Sequence, residues 1–220
     1  MGQPVMILGA SGSGKSTSLR NFKRGECIVL NISGKRLPFK NSKKDGIEVY
    51  SLAGLQDEVR YQKIRGCILE YQDRCKTFVI DDSQFLMAFE LMNKVSDRGY
   101  DKFTQIAKNW SDLMNWIMFG CKDDVIVYFL HHVEYESTNN TYKAKTVGKM
   151  VDQYMSPESL CTVVLGAKNN EGKYVFQTHN GGNDTIKSPM GMFEQDEIDN
   201  DLKVVDKVIR EYYGFDEEGD

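Results

Sequence analysis

A glycine-rich segment that directly follows a short apolar run is the strongest constraint on how this 220-residue chain folds. Residues 5–8, Val-Met-Ile-Leu, predict a buried parallel strand. Residues 9–16 read Gly-Ala-Ser-Gly-Ser-Gly-Lys-Ser and satisfy the pattern G-x-x-x-x-G-K-[S/T] at every defined position. Glycines let such a loop wrap around a phosphate group and aim successive backbone N–H groups at it. The segment is interpreted as a Walker A phosphate-binding loop, and the alternative is a glycine- and serine-rich surface turn.

The polar residues of this loop have distinct expected roles. Lys15 is expected to reach the β- and γ-phosphates of a nucleotide, and the Ser16 hydroxyl is expected to ligate Mg²⁺. A helix predicted over residues 15–23 would add its N-terminal partial positive charge. Thr17 is expected to contact the α-phosphate or to cap that helix. ATP with Mg²⁺ is the expected ligand, and the predicted nucleotide-binding residues are Gly9, Ser11, Gly12, Ser13, Gly14, Lys15, Ser16 and Thr17.

The rest of the chain alternates apolar runs typical of strands with amphipathic patterns typical of helices. Further strands are predicted over residues 27–30, 49–52, 77–80, 125–130, 161–165 and 174–177. Helices are predicted over residues 55–75, 85–92, 103–119 and 202–213, and polar turns at 139–140 and 169–172 indicate late β-hairpins. This alternation predicts an α/β fold, a P-loop NTPase with a mainly parallel sheet flanked by helices. Residues 1–193 are predicted to form its core, and residues 194–220 an acidic C-terminal helix and tail.

A second feature of the site is the acidic end of the strand predicted over residues 77–80. A P-loop enzyme needs an acid at the tip of a neighbouring strand to hold Mg²⁺, and Asp81 is the candidate. The alternative is an acidic turn residue that follows a strand. Asp82 is a candidate for orienting or deprotonating the attacking water, a role in which glutamate is more usual. Ser83 is expected to cap the next helix.

Three further residues are candidates for a role at the nucleotide. His131 and His132 end the strand predicted over residues 125–130, at the same sheet edge as the loop. Strand alternation lets only one of them face inward, and His132 is taken as the γ-phosphate sensor, the alternative being a structural histidine. Lys187, in a glycine-rich loop, is expected to reach a neighbouring subunit's nucleotide, or else to be a solvated lysine.

Charge is distributed unevenly along this chain of formal net charge −4. Residues 194–220 carry eleven acidic and three basic side chains, so the preceding body has a net charge of +4. Such a body permits polyanion binding without demonstrating it. A basic loop suits single-stranded nucleic acid, or else is simply solvated. Its members are Lys35, Arg36, Lys40, Lys43 and Lys44, with Phe39 interleaved. The acidic tail is interpreted as a solvated end or as a competitor for the basic surface.

Composition also restricts the cellular setting. No apolar run approaches the ~20 residues of a membrane span, and the first residues lack the pattern of a signal peptide. The five cysteines are scattered and never spaced as C-x-x-C, which argues against a disulfide framework and a structural zinc site. A cytoplasmic protein without a membrane partner is therefore predicted.

Together these features resemble the phage-encoded RecA-like ATPases, some of which act as single-strand annealing recombination proteins. The resemblance rests on the early loop, on Asp81-Asp82-Ser83, on the histidine-ended strand and on residues 183–189. It implies a RecA-like core, Mg-ATP, single-stranded DNA as partner, assembly into rings or filaments, and the host cytoplasm as location.

The residues that match this family best are Gly9, Gly14, Lys15, Ser16 and Asp81. Lys187 matches a late basic element that acts across a subunit interface, although Pro189 replaces a common arginine. Residues 30–34, where RecA-like recombinases place a catalytic glutamate, contain no acid. Either Asp82 takes over, or hydrolysis is slow.

Three functions are compatible with the sequence. The leading hypothesis is a DNA-dependent ATPase of phage recombination or replication. A small-molecule kinase is the second, but its arginine-rich lid is missing, since residues 133–147 offer only Lys143 and Lys145. The third is a non-catalytic module in which ATP stabilises an assembly, an idea motivated by the missing glutamate.

Overall fold

The structure, a computed structural model, describes residues 1–41 and 44–215. The strands are β1 (Gln3–Gly9), β2 (Ile28–Asn31), β3 (Glu48–Ser51), β4 (Thr77–Asp81), β5 (Ile126–Glu136), β6 (Thr141–Ala144), β7 (Val163–Asn170), β8 (Lys173–Gln177) and β9 (Glu197–Asp199). The α-helices are α1 (Asp57–Tyr71), α2 (Phe85–Asn93), α3 (Asp101–Gly120), α4 (Lys149–Asp152) and α5 (Leu202–Tyr213), and 3₁₀ helices cover Ser16–Asn21 and Pro157–Leu160. Lys43 of the predicted basic loop and residues 216–220 of the predicted tail lie outside the described residues.

One mostly parallel sheet organises the chain. Six strands run parallel in the order β3-β2-β4-β5-β1-β7, and the sheet continues with β8, antiparallel to β7, and β9, antiparallel to β8. The two predicted hairpins are confirmed: β5 turns into β6, with Glu136 opposite Thr141, and β7 turns into β8, with Asn170 opposite Lys173. The fold is therefore α/β with flanking helices, as the alternating pattern predicts. None of the helices in the described ranges combines the length and the apolar character that crossing a bilayer requires.

Strand alternation divides the core between the two faces of the sheet. Met6 and Leu8 of β1 belong to one apolar cluster, which the first three α-helices cover, with Trp110 of α3 fully buried in it. Val5 and Ile7 belong to the opposite cluster, which includes apolar side chains of the first 3₁₀ helix and of α5. Both faces are covered, which explains why these strands are continuously apolar in sequence.

Two helix predictions were wrong in detail. The helix predicted over residues 15–23 is a 3₁₀ helix, Ser16–Asn21, in which the Ser18 hydroxyl donates back to the Lys15 carbonyl at 2.6 Å and the chain becomes extended at Phe22. Side chains of this type compete with regular helix bonding. Helix α1 is shorter than predicted, and Leu69, placed on its apolar face, is 51 % exposed. That face buries Arg60 instead, because the Arg60 guanidinium donates to two backbone carbonyls and the Asp57 carboxylate.

Helix α5 is fixed to the sheet edge opposite the glycine-rich loop. The buried Asp206 carboxylate accepts hydrogen bonds of 3.0 Å from the hydroxyls of Thr77, which begins β4, and Tyr128 of β5. Arg210 pairs with Asp206 at 2.8 Å and donates to the carbonyls of Lys76 and Asp124. The predicted C-terminal segment therefore shares the core of the remaining chain as far as α5.

Arg210→Met tests this attachment. Removing the guanidinium leaves the Asp206 carboxylate buried without its charged partner, so the free energy of unfolding should fall by about 3–5 kcal/mol in urea titration. Lys207→Met on the same helix breaks only an exposed pair with Glu211 and should change it by about 0.5 kcal/mol or less. Equal effects of the two substitutions would contradict the account.

Candidate functional site

The loop between β1 and the first 3₁₀ helix requires glycine for steric reasons. Gly12 and Gly14 have φ of +78° and +96°, in the left-handed region that side chains disfavour. A Cβ atom at Gly14 would lie 2.6 Å from the ring of Tyr174. At Gly9 it would lie 2.3 Å from the Ser13 hydroxyl. The glycines of the pattern thus permit both the turn and the close packing of the loop.

Lys15 is folded back across this loop. Its ammonium donates to the carbonyls of Gly9 at 2.7 Å and Ala10 at 2.9 Å, and the residue is 6 % exposed. Burial lowers the pKa of Lys15 to about 8, and the negative charges of Asp82 and Asp81 oppose the shift. An ammonium has three donors, so one N–H remains for a ligand beside the two carbonyl bonds.

The other predicted loop residues differ in exposure. Ser11 and Gly12 are exposed at the tip, and Thr17 is half-buried in the 3₁₀ helix. Ser13 is buried, and its hydroxyl has no hydrogen-bond partner among the described residues.

Ser16 and Asp81 meet, although they lie 65 residues apart in sequence: the Ser16 hydroxyl donates to Asp81 Oδ1 at 2.8 Å. Burial raises the pKa of the Asp81 carboxyl to about 6, against the effect of the Ser16 hydrogen bond. Neighbouring oxygen ligands of an octahedral Mg²⁺ at ~2.1 Å lie ~3 Å apart, so this oxygen pair fits that ion. Within the described ranges, no group of three His, Cys, Asp or Glu side chains could hold a metal by itself. Phosphate and water would supply the remaining ligands.

Asp82, directly after β4, contacts residues that follow β2 and a residue within β5. It has φ of +58°, and Oδ2 accepts hydrogen bonds from the Ser33 hydroxyl at 2.6 Å and the Lys35 ammonium at 3.2 Å, while His132 Nε2 lies 3.5 Å from Oδ1. Burial alone would raise the pKa of Asp82, but hydrogen bonds from His132, Ser33 and Lys35 outweigh it and hold the pKa well below its usual range. Such a carboxylate can orient a water molecule but is a weak proton acceptor.

The two histidines have different environments. His131 is fully buried: Nδ1 lies 2.8 Å from the Ser83 hydroxyl, Nε2 lies 2.8 Å from the Lys145 carbonyl, and its ring meets Trp110 edge-on. Burial lowers the pKa of His131 to about 3, so its ring is neutral at pH 7. The histidines do not end the strand as predicted, because β5 continues to Glu136 through its pairing with β6. His132 pairs with Gly9 in the sheet and faces Asp82. Of the two, His132 is therefore the one at the site.

The structure contradicts the predicted role of Ser83 and shows the packing of Phe39. The Ser83 hydroxyl donates to the Leu130 carbonyl at 3.1 Å and does not cap α2, because Ser83 is fully buried against β5. Phe39 is half-buried and packs against the apolar cluster of Val5 and Ile7. Lys35 is the member of the basic loop that contacts Asp82.

Lys187 lies away from this chain's own loop. Its backbone pairs with Val164, which lies opposite Met6, three residues before Gly9 and therefore ~10 Å back along β1. The Lys187 side chain is exposed and forms no ion pair in the part of the chain described here. The exposed Lys187 side chain is accessible to another molecule.

Sequence reasoning missed the residues that enclose the loop from distant segments. Ser33 and Lys35 follow β2, and Tyr174 and Asn200 lie against Gly14. A cavity of about 630 Å³ also opens beside residues 9–13, lined on its far side by the two hairpins. These neighbours are brought together by the tertiary fold, and no local sequence motif indicates them. No protein-family model matches the chain, and a search of curated proteins finds no match.

Asp81→Asn tests the electrostatics of the site. The folded-state pKa of about 6 exceeds the ordinary value of 3.8, so ionised Asp81 destabilises the fold; this effect is absent below about pH 4 and complete above about pH 6. The substitution should raise the free energy of unfolding of the ligand-free protein by about 1–3 kcal/mol at pH 7.5. The gain should shrink at pH 4.5 in urea titrations.

Asp112→Asn, at an exposed ion pair on α3, is the matched control and should have little effect at either pH. A destabilised Asp81→Asn protein at pH 7.5 would show that the carboxylate is not strained by burial.

Proposed function

We propose that this protein is a Mg-ATP-dependent P-loop ATPase with a RecA-like core. The observation that carries the proposal is the contact of Ser16 with Asp81, which joins the two residues that the motifs assign to one Mg²⁺. Lys15, the predicted phosphate ligand, is buried within the same loop. The glycine-rich loop and the acid-ended strand are independent sequence patterns, so the contact between Ser16 and Asp81 supports their assignment to one Mg²⁺ site.

The order of the strands supports the same reading. Strand β5 lies between β1 and β4, and its His132 lies opposite Gly9 of the glycine-rich loop and 3.5 Å from Asp82. Ligands of open parallel sheets bind at the carboxyl ends of the strands, and all these side chains lie at that edge. The arrangement is compatible with a RecA-like sheet.

In the proposed mechanism, Lys15 exchanges its carbonyl contacts for phosphate oxygens, and loop N–H groups surround the phosphate. Ser16 and Asp81 would hold Mg²⁺, which neutralises charge on the phosphates when bound. Asp82 and His132 orient the attacking water. Because Asp82 is strongly acidic and already paired with Lys35, it accepts a proton poorly. Slow turnover by the isolated protein is the expected consequence.

The proposal extends to nucleic acid and assembly through the resemblance. Single-stranded DNA is the proposed partner, and phage recombination or replication in the host cytoplasm is the proposed process. Lys35 supports a connection between nucleic-acid binding and the candidate catalytic residues, since it belongs to the basic loop and also contacts Asp82. Exposed Lys187 is the proposed residue that acts on a neighbouring subunit in a ring or filament.

A small-molecule kinase is a second candidate, favoured by the cavity beside the loop, which could admit a phosphate acceptor. A basic lid for it is still missing. The Lys143 ammonium is held by Asp152 at 2.9 Å and Glu136 at 3.1 Å, so it is not available to close over phosphates. Transfer of the γ-phosphate to a nucleoside or nucleotide in a substrate screen would establish this alternative.

Lys15→Ala is the principal test. Wild-type protein should bind Mg-ATP and hydrolyse it, with stimulation by single-stranded oligonucleotide. The substitution removes the buried cation from the phosphates and should reduce turnover by about 100-fold or more in a phosphate-release assay. Lys108→Ala on α3 removes an exposed lysine and should leave turnover unchanged.

The possible failures separate the alternatives. Wild-type protein that binds no ATP would contradict the whole proposal. ATP turnover without any response to or binding of single-stranded DNA would contradict the recombination reading. ATP binding without turnover, alone and with DNA, would favour the non-catalytic assembly module.

A further inference from the structure

Two residues from the β8–β9 end of the sheet lie against the glycine-rich loop. Tyr174 is on β8, and Asn200 directly follows β9; the Asn200 N–H donates to the Tyr174 carbonyl at 3.4 Å, which holds them side by side. A Cβ at Gly14 would lie 2.6 Å from Tyr174 Cδ1 and 3.3 Å from Asn200 Nδ2. Both side chains therefore contact the last turn of the loop, although they are more than 150 residues distant in sequence.

The side-chain amide of Asn200 is buried without a hydrogen-bond partner among the described residues. Asn200 is 1 % exposed, and neither Nδ2 nor Oδ1 forms a hydrogen bond with the residues that the structure describes. Buried amides are nearly always hydrogen-bonded, so this one requires an explanation. Helix capping does not provide it, because the next residue, Asp201, caps α5 by accepting from the Lys203 N–H. The Asn200 amide therefore neither caps the helix nor forms a hydrogen bond among the described residues.

The position of the pair fits one end of a nucleotide. The Mg²⁺ end of the triphosphate would lie at Ser16 and Asp81, and Asp81 ends β4. Strands β4 and β8 lie on opposite sides of β1 in the sheet. A triphosphate held by the loop with its γ-phosphate towards β4 therefore directs its α-phosphate and nucleoside towards Tyr174 and Asn200.

We propose that Tyr174 and Asn200 form the subsite for an adenine base, an inference that rests on the proposed function. The Tyr174 ring, 38 % exposed, provides the stacking surface. The Asn200 amide offers one donor and one acceptor, which match the N6 donor and N7 acceptor of adenine; guanine presents two acceptors, N7 and O6, on the same edge. Because the amide is closed to solvent in the ligand-free state, Tyr174 moves outward when the base enters.

Calorimetric titration with Mg-ATP, Mg-GTP and Mg-tripolyphosphate tests the subsite. Tripolyphosphate has no base, so it reports on the loop alone. Asn200→Ala should weaken ATP binding by about tenfold or more and remove the preference for ATP over GTP. Tyr174→Ala should weaken both nucleotides, since stacking tolerates either purine, while Tyr174→Phe keeps the ring and should bind ATP like wild type. Tripolyphosphate affinity should stay within about twofold in all three variants.

Tyr135→Ala and Asn139→Ala, exposed residues of the β5–β6 hairpin, are matched controls and should bind ATP like wild type. Thermal unfolding of each variant verifies the fold, and Asn200→Ser replaces the alanine variant if that one unfolds. Normal ATP binding and selectivity in folded Asn200 and Tyr174→Ala variants would overturn the subsite while leaving the proposed function intact. Equal losses for ATP and tripolyphosphate would also overturn it, because the pair would then only shape the loop. Wild-type protein that binds neither ligand would overturn the proposed function and the subsite together.

Discussion

The parallel register of four neighbouring strands determines the whole candidate site. Strands β2, β4, β5 and β1 are hydrogen-bonded in that order, with Asn31 opposite Asp81 and His132 opposite Gly9. Because the strands run in the same direction, this register brings His132 of β5 and the polar residues at and after the ends of β1, β2 and β4 to one place. A shift of one residue in any pair would turn these side chains to the other face of the sheet. Core packing on both faces thus fixes the position of the polar groups.

Burial destabilises the charged forms of Lys15 and Asp81 at the carboxyl-end edge of the sheet. Burial lowers the pKa of Lys15 and raises that of Asp81, which means that both ionised groups are poorly solvated without a ligand. The Lys15 ammonium donates to two carbonyl oxygens, and the Asp81 carboxylate accepts from the Ser16 hydroxyl and from the Asp82 backbone. A phosphate group and a cation supply the opposite charges that these groups lack. Sites that are strained in this way are typical of functional positions.

The pKa of Asp82 is lowered, whereas that of Asp81 is raised. Asp82 therefore differs from the proposed ligand-binding residues. Its carboxylate is neutralised by Lys35 and held by Ser33. In the proposed function, the site would bind a phosphate and a cation, while its candidate base is already paired with Lys35. Any process that draws Lys35 away would change the basicity of Asp82. A partner that binds the basic loop would act on that contact.

Local sequence patterns predicted the parts of the site that depend on local structure. The loop and Asp81 were identifiable because a buried strand followed by glycine, or by an acid, carries its own signal. The helix predicted after the loop was wrong because the Ser18 hydroxyl bonds to the backbone there, and the predicted cap at Ser83 was wrong because its hydroxyl bonds to β5. The choice between His131 and His132 needed the packing of Trp110. Asn200 could not be predicted at all, since it reaches Gly14 only through the pairing of β8 with β9.

The central claim is that the buried Lys15 ammonium is the phosphate ligand, and proton linkage tests it directly. With a pKa of about 8, Lys15 is half protonated at pH 8 in the free protein, and contact with phosphate raises that pKa. Calorimetric titration of Mg-ATP in buffers of different ionisation enthalpy should therefore show uptake of about half a proton at pH 8, falling towards zero at pH 6.5 for this group. Absence of binding, or binding at pH 8 without proton uptake, would contradict the account.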